Sequence, residues 1–279
     1  MIKSQQMKEF VFNNVSPLDL AATLDCGQSF RWVPVGNGAT FCAVVEGGIA
    51  TARMEDGALR IACKNLSEDF WRGYFALDVD YSALHSEFRK DATLAACLEF
   101  APGIRVLRQP FFETLISFII SQNNNIPRIK GIIGRLCENF GEQVGTLPDG
   151  SAAYAFPLAE RLATLSVEDL ACLRSGYRAP AIIDAAKRTA SGELNDAELR
   201  TAEPLIARKK LLAVYGVGPK IADCVLLFGL GRFETFPVDV WIRRAMASLF
   251  PNGLPEAAVP CAGIAQQYIF HYARMTGLD

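Results

Sequence analysis

The apolar residues of this chain change their period near residue 80, and that change restricts the fold more than any other feature of the sequence. Before it, Phe10 and Phe12 alternate with polar neighbours. Thr40 to Ala62 then holds the short runs FCAVV, IATARM and LRIAC, parted by Glu46-Gly47-Gly48 and Glu55-Asp56-Gly57. Period-two runs separated by glycine-bearing turns predict antiparallel hairpins. After it, Leu84 and Phe88, then Leu94 and Leu98, recur four residues apart, the spacing of a helix face. Ala101-Pro102-Gly103 then breaks the pattern. The expectation is an α+β chain, with an N-terminal antiparallel β-sheet domain over 1–98 and a mainly α-helical core over 99–279.

Within the helical part, Leu115, Ile116, Ile119 and Ile120 form one apolar stripe. Ile129, Ile132, Ile133 and Leu136 form another after Asn123-Asn124-Asn125, whose side chains favour a polar loop. Helical segments are also expected at Val167–Leu173, Pro180–Ala190, Leu205–Val214 and Ile264–Met275. A new helix opens at Pro219, so that 205–230 reads as helix, hairpin, helix.

Composition narrows the function without naming it. With 51% hydrophobic and 21% charged residues, the chain is no disordered tail, and its formal charge of -2 advertises no polyanionic partner. Local clusters at Arg128, Lys130, Arg135, Arg208, Lys209, Lys210, Arg243 and Arg244 read individually as solvated faces. The eight cysteines include no C-x-x-C pair, so a zinc or iron–sulfur site is not expected, nor is any required cofactor. No signal core or membrane span stands out, which points to an intracellular protein with reduced thiols.

The segment Leu212-Ala213-Val214-Tyr215-Gly216-Val217-Gly218-Pro219-Lys220 carries the chemistry. Glycines permit a tight turn, and the helix start that follows presents unpaired amides to an anion, so Gly216, Val217 and Gly218 can hold a DNA phosphate without a basic side chain. Nineteen residues after Lys220, Asp239 stands inside the apolar run Phe236-Pro237-Val238-Asp239-Val240-Trp241. A lone acid there is either a helix cap or a functional group.

Hairpin, lysine and Pro-Val-Asp together resemble the helix-hairpin-helix DNA glycosylase superfamily, and four scattered segments narrow the likeness to the Ogg-type 8-oxoguanine family over nearly the whole chain. The resemblance implies a bifunctional glycosylase/AP lyase acting on duplex DNA, as a monomer, on 8-oxoguanine opposite cytosine. In that chemistry Lys220 attacks the anomeric carbon and becomes a Schiff base, while Asp239 steadies the charge developing on the sugar. A free lysine amine, of ordinary pKa about 10.4, must first lose its proton, and a helix start favours the neutral form.

Cys26-Gly27-Gln28-Ser29-Phe30-Arg31-Trp32 looks like the family's lesion-reading element, which by itself reads as a turn entering a strand. The likeness assigns to the Gly27 carbonyl the hydrogen that only the oxidised base carries. It sets Cys224 and Phe270 on the two faces of the everted base and Gln266 on its edge. Asn123 and Arg128 hold the orphaned cytosine, Tyr177 wedges into the duplex, and Arg178 also bonds the cytosine. A monovalent cation on the carbonyls of Leu212, Val214 and Val217 is a further implication. Departures exist: Trp241 and Ala273 stand where eukaryotic members pair a histidine with an aspartate, and Pro127 interrupts the cytosine-reading loop. The alternatives are a helix-hairpin-helix glycosylase for another damaged base, a non-catalytic DNA-binding module, and an enzyme acting on free nucleobases.

Overall fold

A computed structural model of the chain describes residues 7–278. Its first half is a five-stranded antiparallel sheet of order β1-β5-β4-β3-β2. The strands are β1 (Lys8–Phe12), β2 (Val33–Val35), β3 (Thr40–Val45), β4 (Gly48–Glu55) and β5 (Ala58–Cys63), with α1 (Leu20–Asp25) between the first two. The expected turns close the hairpins, since Val45 pairs with Gly48 and Glu55 with Ala58. Register then puts Phe12 opposite Leu59 and Ala52 opposite Ile61, so the alternating apolar residues share one buried face. Helix α2 (Glu68–Tyr74) supplies Trp71 and Tyr74 to that core, where the Trp32 indole donates to the Tyr74 hydroxyl at 2.9 Å.

Two further helices, α3 (Tyr81–Phe88) and α4 (Ala92–Phe100), pack into the larger helical core, so that the expected boundary at residue 98 lies within α4. The rest comprises α5 (Phe111–Ser121), α6 (Ile126–Phe140), β6 (Gln143–Thr146), β7 (Ala152–Tyr154), α7 (Ala159–Ala163) and α8 (Ala179–Ala190). Then come α9 (Asp196–Thr201), α10 (Pro204–Leu212), α11 (Pro219–Leu230), α12 (Val240–Leu249) and α13 (Ala262–Thr276). Helix α5 is buried all round from Thr114 to Ile120, the mark of a central helix. It meets α11 at Gly229, where an added Cβ would lie 3.2 Å from the Cβ of Thr114.

Several elements lie outside the expected segments: the short helices α1, α2, α7 and α9, the amphipathic α12, and the β6–β7 hairpin, a two-stranded sheet inside the helical half. Residues 169–173, expected as α-helix, form a 3-10 helix that stops at Arg174 in the left-handed region (φ 54°). No described helix is long and apolar enough to cross a membrane. All eight cysteines are free thiols.

The two halves are joined by buried polar side chains. Arg105 is 3% exposed; its guanidinium donates to the carbonyls of Val15, Pro17 and Ala76 and lies over the Tyr81 ring at 4.3 Å. Beside it, the His85 Nε2 and the Tyr268 hydroxyl lie 2.8 Å apart, and that hydroxyl also donates to the Ile104 carbonyl. Burial holds His85 neutral, pushing its pKa down to about 4. A histidine whose folded pKa lies below its unfolded value, about 6.5, stabilises the fold above that value only. Thermal stability should therefore fall as pH drops from about 6.5 toward 4. Melting scans at pH 7 and pH 5 on the wild type and His85→Gln check this: the acid-induced loss should be smaller in the variant.

Candidate active site

The hairpin between α10 and α11 is fixed from behind. Gly216 takes φ +73°, a conformation that strains any other residue, and an added Cβ would press on the Cβ of Ala181 at 3.2 Å. The Asp184 carboxylate accepts from the Tyr215 amide at 2.8 Å and pairs with Arg188. Neither the Gly216 nor the Gly218 amide has an acceptor among the described residues, and a Cβ on Gly218 would meet open space. Two free donors at the positive end of a twelve-residue helix are what an anion site requires.

Lys220 stands half-buried at the first turn of α11, its amine over the Phe118 ring at 5.1 Å. That ring is itself stacked on Phe228 at 5.4 Å and met edge-on by Phe30 at 5.8 Å. Phe118 went unnoticed in the sequence because a phenylalanine on an apolar helix carries no mark of such a role. Asp239 is the N-cap of α12, accepting from the Ile242 amide at 2.8 Å through Oδ1. The cap and the functional reading are compatible, since one carboxylate oxygen closes the helix and the other stays available. Lys220 and Asp239 make no direct ion pair. Cys224 lies between their influences: burial pushes its thiol up to about 11, the Lys220 charge pulls it down and the Asp239 charge pushes it up.

The lesion-reading candidates converge from three parts of the chain. Gly27, at φ +98°, turns the direction of a missing Cβ toward Ile126 at 3.4 Å and toward Phe270 and Arg274 at 3.9 Å each. Behind it, the 1% exposed Gln28 donates to the carbonyls of Thr23 and Arg105 and accepts from the Leu107 amide, while Gln109 donates to its carbonyl. Gln28, unassigned from the sequence, holds this loop to the linker between the two halves. Gln266 is 4% exposed; it donates to the Pro237 carbonyl at 3.1 Å and accepts from Gln267 at 2.7 Å. Through that bond α13 supports the segment that presents Asp239. Cys224 is buried and Phe270 half-buried.

Asn123, Arg128, Tyr177 and Arg178 are also brought together. Asn123 is exposed at φ +44°, and Arg128 is exposed with its guanidinium near the Asn124 side chain and the Arg174 carbonyl. Tyr177 is 61% exposed with its ring under the Arg178 guanidinium. Arg178 is placed differently from its expected role at an orphaned base. It is 3% exposed, and its guanidinium donates to the carbonyls of Gln122, Asn123 and Ser175, so it holds the asparagine loop to the Tyr177 turn.

The cationic clusters divide when their partners are counted. Lys130 pairs with Asp25, Arg208 with Asp223 and Lys210 with Glu198, and Arg135 donates to the Leu173 carbonyl. Arg128, Lys209, Lys220, Arg243, Arg244 and Arg274 have no acidic partner among the described residues. Those unpaired charges lie on the segments that carry the hairpin, α12, α13 and the asparagine loop. A concavity of about 590 Å³ at the opposite end of α5, lined by Phe112, Phe140 and Phe156, holds none of the expected site residues. No group of three or more His, Cys, Asp or Glu side chains placed to hold a metal ion occurs among the described residues.

A sheet domain joined to a helical core, with a glycine hairpin setting a lysine near an acid-capped helix, defines the helix-hairpin-helix class of base excision DNA repair protein. Residues 116–255 match that superfamily's family, HhH-GPD, and residues 10–115 match the 8-oxoguanine DNA glycosylase N-terminal domain. The chain belongs to the Ogg-type 8-oxoguanine DNA glycosylases of this superfamily. It is 34% identical to the N-glycosylase/DNA lyase of Saccharomyces cerevisiae, over 83% of this chain and 68% of that protein. It is 31% identical to the probable N-glycosylase/DNA lyase of Methanothermobacter thermautotrophicus, over 95% and 96%. Among solved structures, the Clostridium acetobutylicum 8-oxoguanine glycosylase/lyase bound to duplex DNA with cytosine opposite 8-oxoG is 32% identical. It aligns over 98% of each chain with a TM-score of 0.86.

Proposed function

We propose that this protein is a bifunctional DNA glycosylase that excises 8-oxoguanine opposite cytosine and then cleaves the strand through a Schiff base on Lys220. The observation that carries the reading is the convergence of Ile126 and Phe270 on Gly27, on a fold whose hairpin supplies Lys220. The partner is duplex DNA, held by the open amides of Gly216 and Gly218 and by the unpaired cations around them. The everted base enters between Cys224 and Phe270, its oxidised edge against the Gly27 carbonyl and its other edge against Gln266. Extruding a base costs a few kcal/mol, and Tyr177 is exposed where an inserted ring offsets part of that cost.

In the reaction, the Lys220 nitrogen forms a bond to the anomeric carbon as the glycosidic bond breaks, and the departing base takes up a proton. The Asp239 oxygen not used in capping α12 stabilises the positive charge on the sugar. The C1′–O4′ bond then breaks, the ring oxygen taking up a proton as the Lys220 nitrogen gives one up, and the opened sugar is held as an imine from which loss of a 2′ proton expels the 3′ phosphate. Asn123 and Arg128 face the orphaned cytosine, and Arg178 serves them by fixing the loop. A monovalent cation would be held by the carbonyls of Leu212, Val214 and Val217. Those of Leu212 and Val217 accept no bond in the turn, while that of Val214 already accepts from the Val217 amide. No step depends on it.

The test is single-turnover incubation of the protein with duplexes carrying 8-oxoguanine or guanine opposite cytosine, with and without borohydride. Excision and a covalent adduct with the 8-oxoguanine duplex alone are expected. Base release without any adduct would replace the lysine route with attack by water, and binding without release would leave a DNA-binding module.

A further inference from the structure

We propose that Arg274 binds a phosphate of the everted nucleotide at the mouth of the lesion pocket, an inference that rests on the function proposed above. Its Nη1 lies 3.9 Å from where a Cβ of Gly27 would stand, beside Phe270 at the same distance. Gln266, Phe270 and Arg274 follow one another at four-residue steps and so occupy one face of α13. At a rise of about 1.5 Å per residue, Arg274 lies about 6 Å beyond Phe270 and about 12 Å beyond Gln266 along the helix.

Burial runs in the same direction. Gln266 is buried, Phe270 and Arg274 are half-buried, and Met275 is exposed. A base stacked on Phe270 with its edge at Gln266 fills the inner end of this face, which leaves the sugar and its flanking phosphates for the outer end.

The guanidinium is also uncommitted. Arg274 makes no hydrogen bond or ion pair with any described residue, although two carboxylates stand in this neighbourhood. Asp25, two residues before Gly27, is taken by Lys130 at 2.7 Å, and Asp19 caps α1 through the Ala22 amide. Neither carboxylate bonds to Arg274, and a fork of five donors remains at a site that must receive an anion. Arginine matches phosphate oxygens in two-point geometry, which a lysine at this place would not.

Wild type, Arg274→Leu and Arg274→Lys are compared on a duplex with a tetrahydrofuran abasic analogue, an undamaged duplex, and an 8-oxoguanine duplex for single-turnover excision. Leucine should weaken binding to the abasic analogue about tenfold, as for one charge-assisted hydrogen bond. It should also reduce the salt dependence of that binding by about 0.9 in log–log slope, with little change on the undamaged duplex. Lysine should restore the slope but only part of the affinity. In excision, the half-saturating protein concentration should rise about tenfold while the maximal rate stays within about threefold. Unchanged binding of the abasic analogue, with weakening confined to the 8-oxoguanine duplex, would make Arg274 a reader of the base and overturn the proposal. Equal weakening on the undamaged duplex would overturn it too, by placing the contact away from the everted nucleotide. A wild type that does not excise 8-oxoguanine would sink the underlying function, whereas the abasic-analogue arm still decides the phosphate contact. Matching melting temperatures confirm that the variants fold.

Discussion

Lys220→Gln is expected to abolish the borohydride-trapped adduct and to slow excision of 8-oxoguanine by on the order of 10⁴-fold or more, the scale of losing a nucleophile. Binding to the same duplex should survive, because the hairpin amides of Gly216 and Gly218 are backbone groups that the substitution does not touch. Glutamine is nearly as long as lysine and removes the amine whose charge the Phe118 ring faces. Gel analysis of the trapped adduct, with single-turnover release of the base, reads both effects. An adduct that persists in the variant would mean that another amine forms the Schiff base, and the assignment of Lys220 would be lost.

Asp239→Asn should leave DNA binding and the melting temperature close to wild type while slowing excision by about 10²- to 10⁴-fold. The reason lies in the two separate duties of the carboxylate. Asparagine caps a helix about as well as aspartate, so the bond to the Ile242 amide is kept. It carries no negative charge, so the sugar cation loses its partner. Asp239→Ala removes both duties, and should add a loss of about 1 kcal/mol in stability to the same kinetic defect. If asparagine left the excision rate unchanged, Asp239 would be a cap and nothing more.

The sheet was legible because its signal is local. Alternating residues separated by Glu46-Gly47-Gly48 and Glu55-Asp56-Gly57 specify hairpins by themselves, and the register that pairs Val45 with Gly48 follows from the turn. The stripes on α5 and α6 were legible for the same reason. The 3-10 helix at 169–173 and the β6–β7 hairpin were not, because their short runs are decided by what packs against them. Charge was only partly legible: the clusters at 128–135 and 208–210 read as solvated faces, with nothing to tell paired cations from free ones. In the fold Asp25, Asp223 and Glu198 neutralise half of them.

By itself the sequence determined the order of sheet and helices, the glycine turn, and the two groups, Lys220 and Asp239, to which the proposal gives the chemistry. Each depends on neighbours a few residues away. Only the tertiary structure decided that Gly27 faces Phe270 and Arg274 across more than 240 residues of chain, and that Arg178 is spent on the carbonyls of Gln122, Asn123 and Ser175. It also decided that a phenylalanine on α5 lies beneath the lysine. The physical reason is that hydrogen bonds and burial between distant segments are fixed by the packing of the two cores, and no periodicity in the chain encodes them.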